Sequence, residues 1–244
     1  MAATELAYAV LCGPEDDSAL WAAGRLRDRG VPLRVVTTEE LVYAPSIRYA
    51  TTRAGATTRV RLADGTVLGA GLHGTLNRVV RIPSAHVGTS TPVEREYVLQ
   101  ELHAVLVSVL HAWPGAVVGR TDPRGLSGAW WRPAEWMVAA GRAGLVTAGY
   151  RSGGADEPLP VRTVLVVEGQ VVAPADVDVP SDVAAGCRAL ADRHGGGVLG
   201  ADFGVDRGVW AFRGATPWPD LRPGGDAVVD ALQTALVARE PVPA

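Results

Sequence analysis

The stretch Val198-Leu199-Gly200-Ala201-Asp202-Phe203-Gly204-Val205-Asp206-Arg207-Gly208-Val209-Trp210-Ala211-Phe212 decides the fold. Two apolar runs flank Asp206-Arg207-Gly208, and a glycine closing so tight a turn supplies the backbone freedom a hairpin needs. Val198–Asp206 and Val209–Phe212 therefore read as antiparallel strands. Upstream, Val161–Val167 and Gln170–Val172 make a second such pair across Glu168-Gly169. Between the pairs, Ser181–His194 reads as a helix stopped by Gly195-Gly196-Gly197. Downstream, Gly224–Ala238 is a final amphipathic helix carrying Val228, Leu232, Ala235 and Leu236. The back half is thus a set of antiparallel hairpins with packed helices.

The front half has a different rhythm. Ala7–Cys12 is a short apolar strand closed by Gly13-Pro14, and Ser18 is the expected cap of a helix whose Leu20, Ala23 and Leu26 share a face. Gly30 ends that helix and Leu33–Val36 follows as a strand, which makes a βαβ unit of a parallel sheet. No GxGxxG spacing accompanies the first turn, so a plain α/β turn is the reading rather than a dinucleotide site. Thr57–Leu62 and Thr66–Leu68 form a hairpin over Asp64-Gly65, and Gly74–Val80 is a strand interrupted by Asn77 and Arg78. Pro92–His111 carries the longest helical pattern, Ala116–Val118 a short strand, and Pro133–Gly141 a helix with proline in its first turn. A polar, glycine-rich segment, Arg151–Pro160, is the candidate linker. The expected organisation is an N-terminal α/β region over 1–90, a helical middle over 91–150 and a C-terminal region over 151–244, packed as one compact body.

Composition narrows the function classes. Hydrophobic residues are 48% and charged residues 20% of 244, with a net charge of −3, an ordinary globular balance with no basic excess for nucleic acid. No apolar run reaches membrane-spanning length, and Met1–Leu11 reads as a strand rather than a signal peptide. Cys12 and Cys187, the two cysteines, sit in apolar runs as expected buried thiols, which fits a reducing cytoplasm. All 23 basic residues are arginine, so no lysine ammonium is on hand for chemistry. His73, His86, His103, His111 and His194 show no metal-ligand spacing, and no metal site is expected.

The order of elements, with Val198–Phe203, Asp206–Gly208, Trp210–Phe212 and Ala215-Thr216-Pro217-Trp218-Pro219 in succession, resembles the closing segment of ATP-grasp ligases, nearest to their graspetide-type and ribosomal-protein glutamate ligase branch. Leu76-Asn77-Arg78, Glu96-Tyr97, Glu101 and the Arg120–Trp136 stretch are similar to what precedes the nucleotide-binding part there. The resemblance implies a reduced ATP-grasp-like α/β fold and, by its departures, weighs against the family's activity. The family's Phe-x-Glu-x-Asn-Pro, whose Glu and Asn hold magnesium, stands here as Phe212-Arg213-Gly214-Ala215-Thr216-Pro217. Glycine has no ligand to offer and a threonine hydroxyl is a weak one; Asp202 keeps its carboxylate. The family's nucleotide-clamping subdomain is reduced to Arg151–Pro160, with Arg151 and Arg162 the nearby cations.

Several residues remain as candidates, each with a bland reading beside the sharp one. Arg120, Arg124, Gly125, Ser127 and Gly128 form a polar, glycine-rich loop that either cradles an anion or simply turns the chain. Arg78 lies in an apolar run and needs either a carboxylate, with Glu96 and Glu101 the expected partners, or an anionic ligand. Arg222, beside Asp220 in the approach to the last helix, marks either an anion site or a stiff proline-rich connection. Trp130, Trp131 and Trp218 are candidates for an interface as much as for core, and the adjacent pair should face opposite ways on extended backbone. Two functions follow. One is a non-catalytic protein on an ATP-grasp scaffold that binds a peptide or protein partner or forms a homo-oligomer, with no cofactor. The other is an ATP- and magnesium-dependent carboxylate–amine ligase with an arginine-based site, in which Asp202, Arg162 and Thr216 would converge on one pocket.

Overall fold

The computed structural model describes residues 5–53, 55–84, 91–148, 161–174 and 177–237. The candidate linker at 151–160, with Arg151, lies outside the described residues, as does His86. The chain divides into two compact units. The boundary falls between Ser127 and Gly128, so the helical middle is shared between them, and the C-terminal end of the last helix groups with the first unit.

In the first unit β1 (Tyr8–Cys12) pairs in parallel with β2 (Leu33–Thr37) and with β6 (Gly74–Asn77), which pairs in turn with β7 (Ala116–Val118), giving the order β2-β1-β6-β7. α1 (Asp17–Asp28) provides the first crossover. Its cap is Asp16, not Ser18: Ala19 N donates to Asp16 Oδ1 at 2.9 Å, and Ser18 is buried in the first turn. The short α2 (Thr38–Val42), which sequence patterning did not separate from its surroundings, is set by a capping box between Thr37 and Glu40. An antiparallel sheet β3 (Ser46–Thr52), β4 (Gly55–Arg61), β5 (Val67–Leu68) contains the expected hairpin plus one unforeseen strand, β3. α3 (Pro92–His111) carries proline and a Thr91–Glu94 capping box at its start. Leu11, Val36, Leu41, Val60, Leu68, Leu106 and Trp113 belong to the shared core. Each fully buried leucine of that set contributes about 1.5–3 kcal/mol relative to an exposed one.

The second unit is antiparallel throughout, in the order β11-β10-β8-β9: β8 (Val161–Val167), β9 (Gln170–Val172), β10 (Val198–Asp206) and β11 (Val209–Thr216). Both hairpin turns carry two successive positive φ values, Glu168 at 44° with Gly169 at 82° and Arg207 at 47° with Gly208 at 82°, the geometry that matches strand twist. α4 (Pro133–Arg142) and α5 (Ser181–His194) cover one face of the sheet, burying Trp136, Cys187 and Leu190 against Val164, Leu199, Phe203 and Phe212. Gly195, at φ 105°, ends α5 as expected. β11 runs four residues past its expected end at Phe212, because a bulge opposite Asp202/Phe203 absorbs Arg213 and pairing resumes at Gly214. α6 (Gly225–Val237) closes the described chain.

Candidate functional site

Alternation along β10 sorts its side chains. Leu199, Ala201 and Phe203 enter the core under α4 and α5, so Gly200, Asp202 and Gly204 occupy the opposite face. Asp202 lies directly across from Thr163 on β8 and from Gly214 on β11; Thr216 lies across from Gly200. Asp202 and Gly214 are therefore lateral neighbours, with Thr216 two positions further along β11 on the same face.

The chemistry of that face is sparse. Thr163 Oγ1 donates to Asp202 Oδ1 at 2.7 Å. Burial pushes the Asp202 carboxyl above the ordinary aspartate range, and the Thr163 hydrogen bond opposes this only in part. Thr216 Oγ1 accepts from Trp218 N at 3.1 Å, which ties the hydroxyl into the turn after β11. Pro219 folds back onto Gly200, so a side chain there would overlap its ring. Gly214, by contrast, has open space where a Cβ would stand. Arg213, at the bulge, lays its guanidinium over Gly204. With Ala148, Asp206, Arg207, Val209 and Ala211, these two residues line an open cavity of about 370 Å³. Arg213 is not among the residues singled out from the sequence, where its one signal is a cation interrupting an apolar strand between Phe212 and Gly214.

This donor set does not fit magnesium. The ion demands several hard oxygen ligands in near-octahedral array. Asp202 offers one half-buried carboxylate that already accepts from Thr163, Gly214 offers no side-chain ligand, and the Thr216 hydroxyl accepts from Trp218 N. Among the described residues no cluster of three or more His, Cys, Asp or Glu could hold a metal ion.

The other candidates distribute as follows. Arg162 is opposite Phe203, so alternation sets it on the face away from Asp202 and Thr216. Arg222 is held by Asp220 through contacts of 2.8, 2.9 and 3.1 Å. Gly128, at φ 126°, lies where a Cβ would be 3.1 Å from both His194 Cε1 and Pro217 Cβ. The neighbouring Ala129 carbonyl lies 2.8 Å from His194 Nε2. Trp131 packs inward against Trp136 and His194, with centroids 4.7 and 5.2 Å away, while Trp130 is 45% exposed, as adjacency on extended backbone requires. Trp218 is 36% exposed.

In the first unit, Arg78 sits just beyond the end of β6 and its partner is Asp16, not Glu96 or Glu101. Arg78 Nε donates to Asp16 Oδ2 at 2.8 Å and Nη2 to Oδ1 at 3.3 Å, with both residues buried. Beside it, Asn77 Nδ2 donates to the carbonyls of Gly119 and Leu126 at 2.9 and 2.6 Å, which pins the loop that the sequence marked as a candidate cradle. That loop folds on itself. The Gly125 amide donates to the Asp122 carbonyl at 2.9 Å, and the Arg124 amide and guanidinium both meet Asp122 Oδ1. The Gly125 amide is thereby engaged within the loop, Arg120 is exposed, and Ser127 is buried with no hydrogen-bond partner for its Oγ among the described residues.

No protein-family model and no curated protein matches the sequence. Solved structures do match by shape. A RiPP-associated ATP-grasp ligase from Chryseobacterium gregarium, in complex with ADP and a leader and core peptide, matches with a TM-score of 0.69 at 8% identity over 98% of each chain. The macrocyclase MdnC from Microcystis aeruginosa, bound to precursor peptide MdnA, matches at 0.68 and 10% identity over 95% of this chain and 100% of that one. The ATP-grasp ligase PsnB, complexed with a minimal precursor variant, magnesium and ADP, matches at 0.67 and 15% identity over 95% and 99%. At such identities the likeness establishes the fold. The chain has the ATP-grasp fold, and among the described residues no helix is long and apolar enough to cross a membrane.

Proposed function

We propose that this chain is a peptide-binding protein on the ATP-grasp scaffold that works without magnesium–nucleotide chemistry. The observation that carries the reading is the register of β10 with its two neighbours, in which the half-buried carboxylate of Asp202 has Gly214 of β11 on one side and Thr163 of β8 on the other. Phosphoryl transfer in this fold depends on positioned cations that neutralise phosphate charge, and these strands supply a single, partly desolvated carboxylate in place of a metal-binding set. The peptide partner is favoured by the three solved structures above, each of which holds a leader, core or precursor peptide. The buried thiols Cys12 and Cys187, pushed up to about 11 and about 12 by desolvation, suit a reducing compartment such as the cytoplasm. Exposed Trp130 and Trp218 suit a contact surface for a protein partner or a second copy of the chain.

A second reading, an ATP-dependent carboxylate–amine ligase acting on a peptide, is favoured by a different observation: the three solved structures described above are ligases or a macrocyclase, and two of them contain ADP. In that case Arg213 and Arg207, which line the cavity beside Gly204, stand in for lysine toward phosphate. The comparisons lean toward this reading and the residues around Asp202 toward the first. Panning a displayed peptide library with and without Mg-ATP separates them. The first reading expects one peptide family to be enriched equally in both arms. Enrichment that requires Mg-ATP, with ADP released and the peptide modified, establishes the second, and no enrichment above an unrelated control overturns both.

A further inference from the structure

The outer face of the β3–β4 ribbon carries a concentration of charge that the fold does not need. Alternation places Ser46, Arg48, Ala50 and Thr52 of β3 on the same face as Gly55, Thr57, Arg59 and Arg61 of β4. Arg48 lies directly opposite Arg59, and Ser46 directly opposite Arg61. Directly opposed like charges destabilise an antiparallel pair, yet this ribbon has two arginines in register and a third two residues along. All three are exposed. Ser46, Arg48, Arg59 and Arg61 together line an open groove of about 500 Å³.

Edge protection does not account for them. Charged side chains do guard exposed strand edges, but Arg59 and Arg61 are on β4, the central strand of the three. Nor is the face simply a solvated mixture of signs. Its strand residues are neutral or cationic in a chain whose net charge is −3. A carboxylate does reach the stripe: Glu5, from the segment that bridges to Val67 in parallel, places its Oε1 3.7 Å from Arg59 Nη2. An extended segment beside this sheet thus already presents a carboxylate to one of the three guanidinium groups.

We propose that this groove docks an extended acidic peptide, seated along the outer edge of β3 with carboxylates at alternate residues over Arg48 and Arg61. β3 pairs only with β4 among the described residues, so its other edge can accept a strand. Arg48 and Arg61 are diagonal neighbours on adjacent strands, offset by two residues, about 6.8 Å, along the strand direction, which is the spacing of the carboxylates along an alternating peptide. The planar fork of arginine suits carboxylate recognition. The proposal rests on the peptide-binding reading above and adds to it the chemistry of the peptide and a docking place in the first unit.

The test is fluorescence polarisation of a labelled alternating Thr-Glu peptide of about eight residues, enough to span β3, on the full chain. Saturable binding is expected, weakened at least about tenfold by Arg48→Glu/Arg61→Glu and weakened by salt. The neutral variant Arg48→Gln/Arg61→Gln should also bind more weakly while melting no lower than the wild type, since it relieves like-charge repulsion. That pair of readings guards against simple misfolding. No binding, binding unchanged in the Gln variant, or equal binding of an alternating Thr-Gln peptide overturns the proposal. So does a single-stranded oligonucleotide of similar charge binding more tightly. If the acidic peptide fails while library panning still yields a nucleotide-independent peptide, the docking face is wrong and the peptide-binding reading stands.

Discussion

Replacing Asp16 by Asn isolates one charge in the first unit. Asp16 is 5% and Arg78 3% exposed, and the pair meets through two hydrogen bonds at 2.8 and 3.3 Å. Asparagine keeps the shape of aspartate and its ability to cap α1 through Ala19 N. What it removes is the negative charge, leaving the Arg78 guanidinium buried beside a neutral amide. Breaking one side of a buried ion pair costs about 3–5 kcal/mol. For a chain of this size each kcal/mol moves the melting temperature by about 2–4 °C, so Asp16→Asn should lower it by about 6–20 °C. Asp16→Ala loses the cap as well and should cost about 1 kcal/mol more. Asp220→Asn is the control: its partner Arg222 is on the surface, and the loss should stay under about 1 kcal/mol. Urea denaturation followed by circular dichroism measures all three. An Asp16→Asn variant within about 1 kcal/mol of wild type would refute the claim that this pair is a desolvated unit.

Three further outcomes follow from the geometry. Asp202→Asn keeps an acceptor for Thr163 and removes a carboxylate whose pKa burial raises. A raised acid binds its proton more tightly folded than unfolded, so the wild type loses stability as pH climbs from the unfolded pKa to the folded one. Asp202→Asn should therefore gain on wild type across that window and hold the advantage at neutral pH, read from paired denaturation curves. Gly119→Ala puts a methyl group into the Asn77 carbonyl at φ 83° and should destabilise by more than about 1 kcal/mol in the same assay, with the Asn77-pinned loop exchanging amide hydrogens faster. Gly214→Glu with Thr216→Asn places two oxygen-bearing side chains beside Asp202, the first into open space. It should create a divalent-cation site visible as a magnesium-dependent rise in melting temperature that the parent lacks.

The second unit was more legible than the first because its signals are local. Both hairpins turn on two-residue elements with positive φ, Glu168-Gly169 and Arg207-Gly208, so the strands flanking each turn follow from a few neighbouring residues. β11 escaped full reading because Arg213 sits in a bulge, and a bulge breaks the alternation that marks a strand. In the first unit the decisive pairings are distant. Arg78 finds Asp16 across 62 positions, with β1 and β6 bringing the two together, while the pattern around Arg78 pointed to the helix that follows it. Ser18 looked like a cap because it is a capping residue in the right place; Asp16, two positions earlier, takes the role and joins the ion pair as well. The alignment of Asp202 with Gly214 and Thr216 was readable only through resemblance to a known family, since lateral neighbours on separate strands have no spacing rule of their own. The Arg48–Arg59 stripe was hidden for the same reason, with β3 unrecognised.

The central claim is that the face around Asp202 handles no magnesium nucleotide, and a melting scan with and without Mg-ATP tests it most directly. A site occupied at one hundred times its dissociation constant stabilises by about 2.7 kcal/mol, which in a chain of this size is about 5–11 °C. The account predicts that millimolar Mg-ATP leaves the melting temperature where ATP with a chelator leaves it. A reproducible, magnesium-dependent rise of several degrees, abolished by Asp202→Ala, would contradict it and return the chain to the working ligases whose fold it has.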